Sequence, residues 1–343
     1  MKTITLGSTG ITVIQNAFGA LPVQRVNMET AIQILQKAYQ GGMRFFDTAR
    51  AYSDSEEKLG NAFKDIKRDE IYIATKTMAK TPEQFKEQLE TSLQLLQTDY
   101  VDIYQFHCAG QVYRPGDGTG MYECMLEAKE AGKIKHIGIT AHKLSVAKEA
   151  IESGLYETLQ FPFSYLSGEK ELELVTLCKE KNMGFIAMKG LAGGLINKSV
   201  PAMAFMSQFD HVLPIWGIQK ESELDEWLAF NEKTPVLDEE ILSFIEKEKK
   251  EIAGDFCRGC GYCMPCPAGI QINQCARMSL MLRRAPSQNW LSENMQAEMM
   301  KIENCLHCGA CMKKCPYELN TPALLEKNLE DYKKVLAGEV KVQ

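Results

Sequence analysis

The residues best suited to chemistry are cysteines. The chain has 343 residues and 12 cysteines, and nine of the cysteines lie between Cys257 and Cys315. In CRGCGYCMPCP every third residue from Cys257 is a cysteine, giving Cys260, Cys263 and Cys266; CLHCGACMKKCP places Cys305, Cys308 and Cys311 in the same way and adds Cys315. A secreted disulfide protein would spread its bridges through the fold. The opening MKTITLGSTG carries no apolar h-region of a signal peptide. A tight cluster without an export signal reads as metal ligation in a reducing cytosol, so a cytoplasmic location is expected. Cys275 has no slot in either motif and is expected to be a buried thiol on a helix, like Cys124 and Cys178.

The second motif has the C-x2-C-x2-C-x3-C-P spacing of bacterial two-cluster ferredoxins, and the first is one residue shorter before its final Cys-Pro. Three cysteines so spaced can wrap one face of a cubane. The fourth, followed by proline, is directed away and serves the other cluster. One [4Fe-4S] centre is therefore expected on Cys257, Cys260, Cys263 and Cys315, and a second on Cys305, Cys308, Cys311 and Cys266. Two zinc sites of four cysteines each are the alternative. Zinc needs only two close pairs per site, whereas a third cysteine at the same spacing plus Cys-Pro, twice over, is the iron–sulfur pattern.

A second set of reactive side chains ends a series of apolar segments: Asp47, Lys76, His107, Thr140, Gln160 and Lys189, with Tyr52 five residues after Asp47. Singly, such residues are helix caps, solvated lysines or satisfied core histidines. The segments they end are strand candidates at residues 43–47, 71–76, 101–107, 134–140, 158–161 and 183–189, with two more at 16–20 and 211–218. Amphipathic stretches separate them. In TPEQFKEQLETSLQLLQ, Thr81 caps, Pro82 takes the first helical position, Gln84 completes a capping box, and Phe85, Leu89, Leu93 and Leu96 recur at helical spacing. Eight β/α repeats within residues 1–230 predict an α/β fold, a (β/α)8 TIM barrel, followed by a small, mainly α-helical C-terminal ferredoxin-type iron–sulfur domain. No GxGxxG follows the first strand, which weakens a Rossmann reading. TITLGSTGITV reads as a hairpin turning at Ser8-Thr9-Gly10, expected across the bottom of the barrel. In such a barrel the C-terminal ends of the strands carry the chemistry.

FFDTARAY, IYIATK and VDIYQFH resemble the catalytic signatures of the aldo-keto reductase superfamily. The resemblance covers roughly residues 1–230, and the cysteine segment is similar to the ferredoxin-type dicluster tail of one subgroup. It implies an NAD(P)H-dependent reduction of an aldehyde or ketone, or the reverse oxidation, with Asp47, Tyr52, Lys76 and His107 catalytic. Tyr52 would be the general acid or base. Lys76, held by Asp47, would lower the phenol pKa from near 10. His107 would orient the carbonyl oxygen, and the hydride would come from the nicotinamide. By family position Thr140 and Gln160 hold the carboxamide, with His142 beside them, and Met188 replaces a stacking tyrosine. Lys189, Leu191 and Gly193 of KGLAGG meet the pyrophosphate, although the glycines equally read as a simple loop. Gly19, Ala20 and Leu21 match the first-strand cofactor contact. In IWGIQKESELDEW, Gly217 and Glu223 stand where NADPH-dependent relatives place basic residues. Lys220 could substitute, and a carboxylate there would repel a 2′-phosphate, so NADP and NAD both stay open.

The net charge is −6, and the acidity sits in residues 1–250, with 28 basic and 35 acidic side chains against 11 and 10 in the remainder. No basic block or long apolar run appears, so neither nucleic acid nor a membrane is an expected partner. The expected division is a barrel over 1–235, a helical connector over 236–250 and a dicluster domain over 251–343. Hydride chemistry moves two electrons and a cubane one, and no flavin signature is visible. Three functions follow: a carbonyl reductase with structural clusters, an electron-transfer enzyme serving a ferredoxin or other redox partner, or a nucleotide-sensing interaction module.

Overall fold

The computed structural model describes residues 2–252, 256–284 and 287–342. Ten strands are present: β1 Thr3–Thr5, β2 Thr12–Ile14, β3 Ala17–Gly19, β4 Phe45–Asp47, β5 Tyr72–Thr77, β6 Val101–Phe106, β7 Ile134–Thr140, β8 Thr158–Pro162, β9 Gly184–Met188 and β10 Val212–Gly217. β3 to β10 form a closed, parallel barrel in chain order, with β10 pairing back onto β3. All eight strand candidates are thus barrel strands. β6 is buried along its whole length, as expected when helices cover a parallel sheet.

The hairpin is also present, and it pairs Ile4 with Val13. Ile4, Leu6, Ile11 and Val13 bury themselves with Phe45, Ala74, Ile103, Ile186 and Leu213, which plugs the barrel end where the strands begin. Gly7 permits this closure: its φ is +55°, and a Cβ there would lie 2.2 Å from the Gly184 nitrogen. The helix Pro82–Leu96 starts as expected, with the Thr81 hydroxyl accepting from Gln84 N at 3.4 Å. Gln84 reaches one residue further back than the capping box requires, accepting from Lys80 N at 2.9 Å. Phe85, Leu89, Leu93 and Leu96 are all buried.

By internal packing the chain forms two compact units, Met1–Gly190 with Ser199–Asp238, and Leu191–Lys198 with Glu239–Gln343. The second unit contains the charged helix Glu239–Glu251 and the long helix Thr321–Leu336, with shorter helices between them. Its core gathers Ile270, Ile272, Cys275, Met278, Leu282, Met299, Leu325 and Tyr332. The Tyr332 hydroxyl donates to the Trp290 carbonyl at 2.7 Å, and Arg284 forms a buried ion pair with Glu248. Cys275, Cys124 and Cys178 are buried thiols on helices.

Candidate active site

Asp47 closes β4, Lys76 lies near the end of β5, and His107 follows β6. Parallel, in-step strands bring these ends together. Lys76 and Asp47 form an ion pair whose side chains are 1% and 3% exposed. The Lys76 ammonium donates to both Asp47 oxygens at 2.7 Å and to the Thr48 carbonyl at 2.6 Å. These bonds use all its protons. Beside the pair, Gln160 donates to Asp47 Oδ1 at 3.4 Å, and Gln105 donates to Gln160 Oε1 at 2.9 Å. Asp47, Gln105 and Gln160 come from β4, β6 and β8. Side chains from alternate strands share a layer in a barrel, so these three make a polar layer below the mouth.

Tyr52 stands on the loop after β4. Its ring lies 5.3 Å from Lys76 Nζ and 5.6 Å, edge-on, from the His107 ring. The loop is tied down at several points. Arg50 N donates to the Lys76 carbonyl at 3.1 Å, and the Ser55 hydroxyl donates to the Ala20 carbonyl at 2.9 Å. The Arg50 guanidinium bridges the Ser53 carbonyl and the fully buried Glu56, which also accepts from the Thr75 hydroxyl at 2.6 Å. Tyr52 is therefore presented by a braced turn.

The electrostatics correct one sequence expectation. The phenol of Tyr52 is held well above its ordinary pKa by burial, then by the Asp47 carboxylate and Cys108. No lowering by Lys76 offsets these effects, and its ammonium is bound instead by Asp47 and the Thr48 carbonyl. Burial also lifts the Asp47 carboxyl, with the Lys76 ammonium opposing. The His107 imidazole is pushed down to about 3 by burial and by Lys76, so it is neutral at pH 7. Its Nδ1 is buried without a hydrogen-bond partner among the described residues. Burial, then Lys189 and His107, hold the His142 imidazole well below its ordinary range.

The other expected contacts fall in two groups. Thr140, Gln160 and His142 are buried at or just beyond strand ends, and Met188 and Lys189 are half-buried at the end of β9. The Thr140 hydroxyl oxygen accepts from Cys108 N at 2.7 Å, which leaves its proton free to donate. Gly19 ends β3 with its backbone so close to Trp216 that a Cβ would lie 3.1 Å from that carbonyl, and Gly217 ends β10 exposed. Ala20 is buried and Leu21 exposed. Lys220 is exposed at the start of the helix Glu221–Glu232. Glu223 turns back to accept from Gln219 N and Lys220 N at 3.0 and 3.2 Å, so its carboxylate caps that helix. Leu191 and Gly193 belong to the second unit. There a Cβ on Gly193 would lie 2.9 Å from the Arg277 guanidinium.

Within the second unit the eight motif cysteines line two chambers. Cys257, Cys260, Cys263 and Cys315 face one, with Ile272, Leu319 and Leu324. Cys266, Cys305, Cys308 and Cys311 face the other, joined by Cys263 and by Ile270 and Leu325. Among the described residues no three His, Cys, Asp or Glu side chains converge as a single ion requires. The four ligands of a cubane each take a different iron and stand farther apart. Burial pushes the Cys263 thiol up to about 12, so a thiolate there needs bound cations to displace its proton. The donor set and its grouping fit two clusters.

A family model, the aldo/keto reductase family, matches residues 14–214. The chain belongs to the aldo/keto reductase family. A second model, the 4Fe-4S dicluster domain, matches residues 256–320. Aldo-keto reductase YhdN of Bacillus subtilis is 32% identical over 49% of this chain, and the match spans 54% of its own length. The NADH-specific methylglyoxal reductase of Escherichia coli is 26% identical over 58% of this chain and 70% of its own length. Among solved structures, the holo form of aldo-keto reductase AKR11C1 from Bacillus halodurans superposes with a TM-score of 0.64 at 24% identity, covering 72% of this chain and 96% of that one.

Several residues around the site of this aldo/keto reductase family member were missed by sequence reasoning. Gln105 carried a signal: it lies two residues after Ile103 on β6, so the two share a face and a polar side chain had to face the barrel interior. Arg50 and Glu56 carried none, because a charge in DTARAYSDSEEK looks the same whether it is buried or solvated.

Proposed function

We propose that the chain is an NAD(P)H-dependent oxidoreductase that reduces an aldehyde or ketone, with Tyr52 as the proton donor. The observation that carries this is the convergence at one barrel mouth of a braced phenol, a neutral imidazole and a buried Lys76–Asp47 pair. A nicotinamide nucleotide, when bound, supplies the hydride. The residues suit it: the free Thr140 proton and the polar layer under the mouth offer partners for a carboxamide, and Met188 offers a polarisable platform. Tyr52 holds its proton at neutral pH and passes it to the carbonyl oxygen. Neutral His107 donates from one ring nitrogen to that same oxygen and orients it. Lys76, whose carbonyl accepts from Arg50 N at 3.1 Å, helps to hold the Tyr52 loop in place. The raised phenol pKa keeps Tyr52 protonated at neutral pH, the form that reduction needs, and leaves little of the phenolate that oxidation needs.

The proposed organisation is a barrel over 1–235, a connector over 236–250 and a dicluster domain over 251–343. The last would hold one [4Fe-4S] cluster on Cys257, Cys260, Cys263 and Cys315 and another on Cys266, Cys305, Cys308 and Cys311. The absence of a basic side chain at Gly217 and the nearby Glu223 carboxylate favour NADH, the nucleotide named for the Escherichia coli relative. Exposed Cys308, at the rim of the second chamber, supports a second reading in which the clusters exchange electrons with a redox partner protein.

The test is anaerobic purification with iron and sulfide counts, followed by NADH and NADPH oxidation on a panel of aldehydes and ketones. Turnover with carbonyl-dependent loss of the nucleotide's near-ultraviolet absorbance is expected. Tight nucleotide binding with no turnover on any carbonyl would refute the reductase reading and favour a sensing module. Cluster bleaching by NAD(P)H alone would favour the electron-transfer reading.

A further inference from the structure

The two chambers differ in the charge behind them. Arg277 packs against the first cysteine motif at Gly259, close enough for its positive charge to act on Cys257. Its guanidinium is wedged between two backbone glycines, from the loop Leu191–Lys198 and from the first cysteine motif. A Cβ on Gly193 would lie 2.9 Å from Nη1, and one on Gly259 would lie 2.8 Å from it. Gly193 and Gly259 have φ values of +68° and +67°, so both turns are shaped around this group. Yet Nη1 itself is buried with no hydrogen-bond partner among the described residues. A buried, unpaired guanidinium nitrogen is costly unless an acceptor completes it. The same glycine carries a backbone donor, with Gly259 N donating to Cys257 Sγ at 3.4 Å. The rim holds Arg258, stacked on Tyr317 with 4.2 Å between guanidinium and ring. The second chamber has no such group among its described lining residues. Cys308 is exposed there.

On the iron–sulfur reading above, we infer that Arg277 is a tuning residue: its buried positive charge and unpaired N–H raise the reduction potential of the cluster on Cys257, Cys260, Cys263 and Cys315 above that of its neighbour, so the first electron to enter the chain rests there. A cluster gains negative charge on reduction. A fixed cation and hydrogen bonds to its sulfurs stabilise the reduced form, and both act at full strength where water is excluded.

The test is a redox titration of anaerobically purified full-length protein, read by electron paramagnetic resonance, for wild type, Arg277→Gln and Arg277→Lys. Arg277→Gln is expected to lower the higher of two midpoint potentials by at least tenfold in the reduction equilibrium, about 59 mV for one electron. The lower step should stay in place, and Arg277→Lys should keep most of the wild-type value. Two unmoved steps in Arg277→Gln, or an equal fall in Arg277→Lys, would overturn the inference. Should Arg277→Gln fail to retain iron, wild type labelled with nitrogen-15 arginine decides. Reduced by its first electron only, it should show a weak nitrogen coupling in its spin-echo modulation, and lack of that coupling refutes the proposal. Wild type without iron and sulfide defeats the cluster reading itself and this inference with it.

Discussion

Asp47→Asn removes the negative half of an ion pair that is almost wholly out of water. The Lys76 ammonium would keep the Thr48 carbonyl at 2.6 Å and one amide oxygen, but it would lose its counter-charge. Breaking a buried pair from one side costs about 3–5 kcal/mol, because the surviving charge stays buried. In a unit of this size each kcal/mol shifts the melting temperature by about 2–4 °C, so a drop on the order of 6–20 °C is expected. The second consequence is electrostatic. Asp47 helps hold the Tyr52 phenol above its ordinary value, so removing its charge while keeping Lys76 lowers that pKa. Alcohol oxidation, which needs the phenolate, should then begin at lower pH than in wild type. Circular-dichroism melts and pH profiles of both directions measure the two effects. Asp47→Asn combined with Lys76→Met should recover much of the lost stability, since a neutral pair leaves no orphaned charge. A loss under about 1 kcal/mol, as for exposed pairs, would refute the buried-pair reasoning.

The remaining predictions concern other parts of the chain. Carbonyl reduction should be level between about pH 6 and 9: Tyr52 stays protonated below its raised pKa, and His107, already neutral above about 3, does not titrate there. The reverse oxidation should rise about tenfold per pH unit over the same range; an inflection near the ordinary histidine value in kcat would contradict the assignment. Glu56→Gln frees Arg50 and slackens the Tyr52 loop, so kcat should fall about tenfold to hundredfold with nucleotide affinity unchanged in fluorescence titration. Oxidative removal of the clusters with a chelator should melt the unit built around Ile272, Met278 and Tyr332 while the barrel keeps its own cooperative transition; a single unchanged melt would count against clusters as structural elements.

The barrel was legible because the eight strand candidates were short and apolar, as in parallel sheets covered on both faces, and six of them carried a polar residue at the end. The hairpin was legible from TITLGSTGITV, with its turn at Ser8-Thr9-Gly10. The cysteine grouping was read from the ferredoxin-like spacing, and the structure places all eight motif cysteines around two chambers, with Cys263 facing both. The direction of the Tyr52 shift was not legible. Sequence suggests that Lys76 is near; only the geometry gives all its protons to Asp47 and Thr48. Gly193 was read toward a pyrophosphate, and the structure sets it against Arg277, a residue 84 positions later that no local pattern connects to it. Charged side chains such as Glu56, Arg50 and Arg277 are the ones a one-dimensional reading places in solvent by default.

The most direct measurement is single-turnover hydride transfer in wild type and Tyr52→Phe, each saturated with reduced nucleotide and mixed with one carbonyl substrate. The account predicts equal nucleotide dissociation constants and a rate at least about a hundredfold lower in the variant, the loss expected when a general acid is removed. A Tyr52→Phe rate within a few-fold of wild type would show that the proton comes from elsewhere and would contradict the assignment on which the mechanism rests.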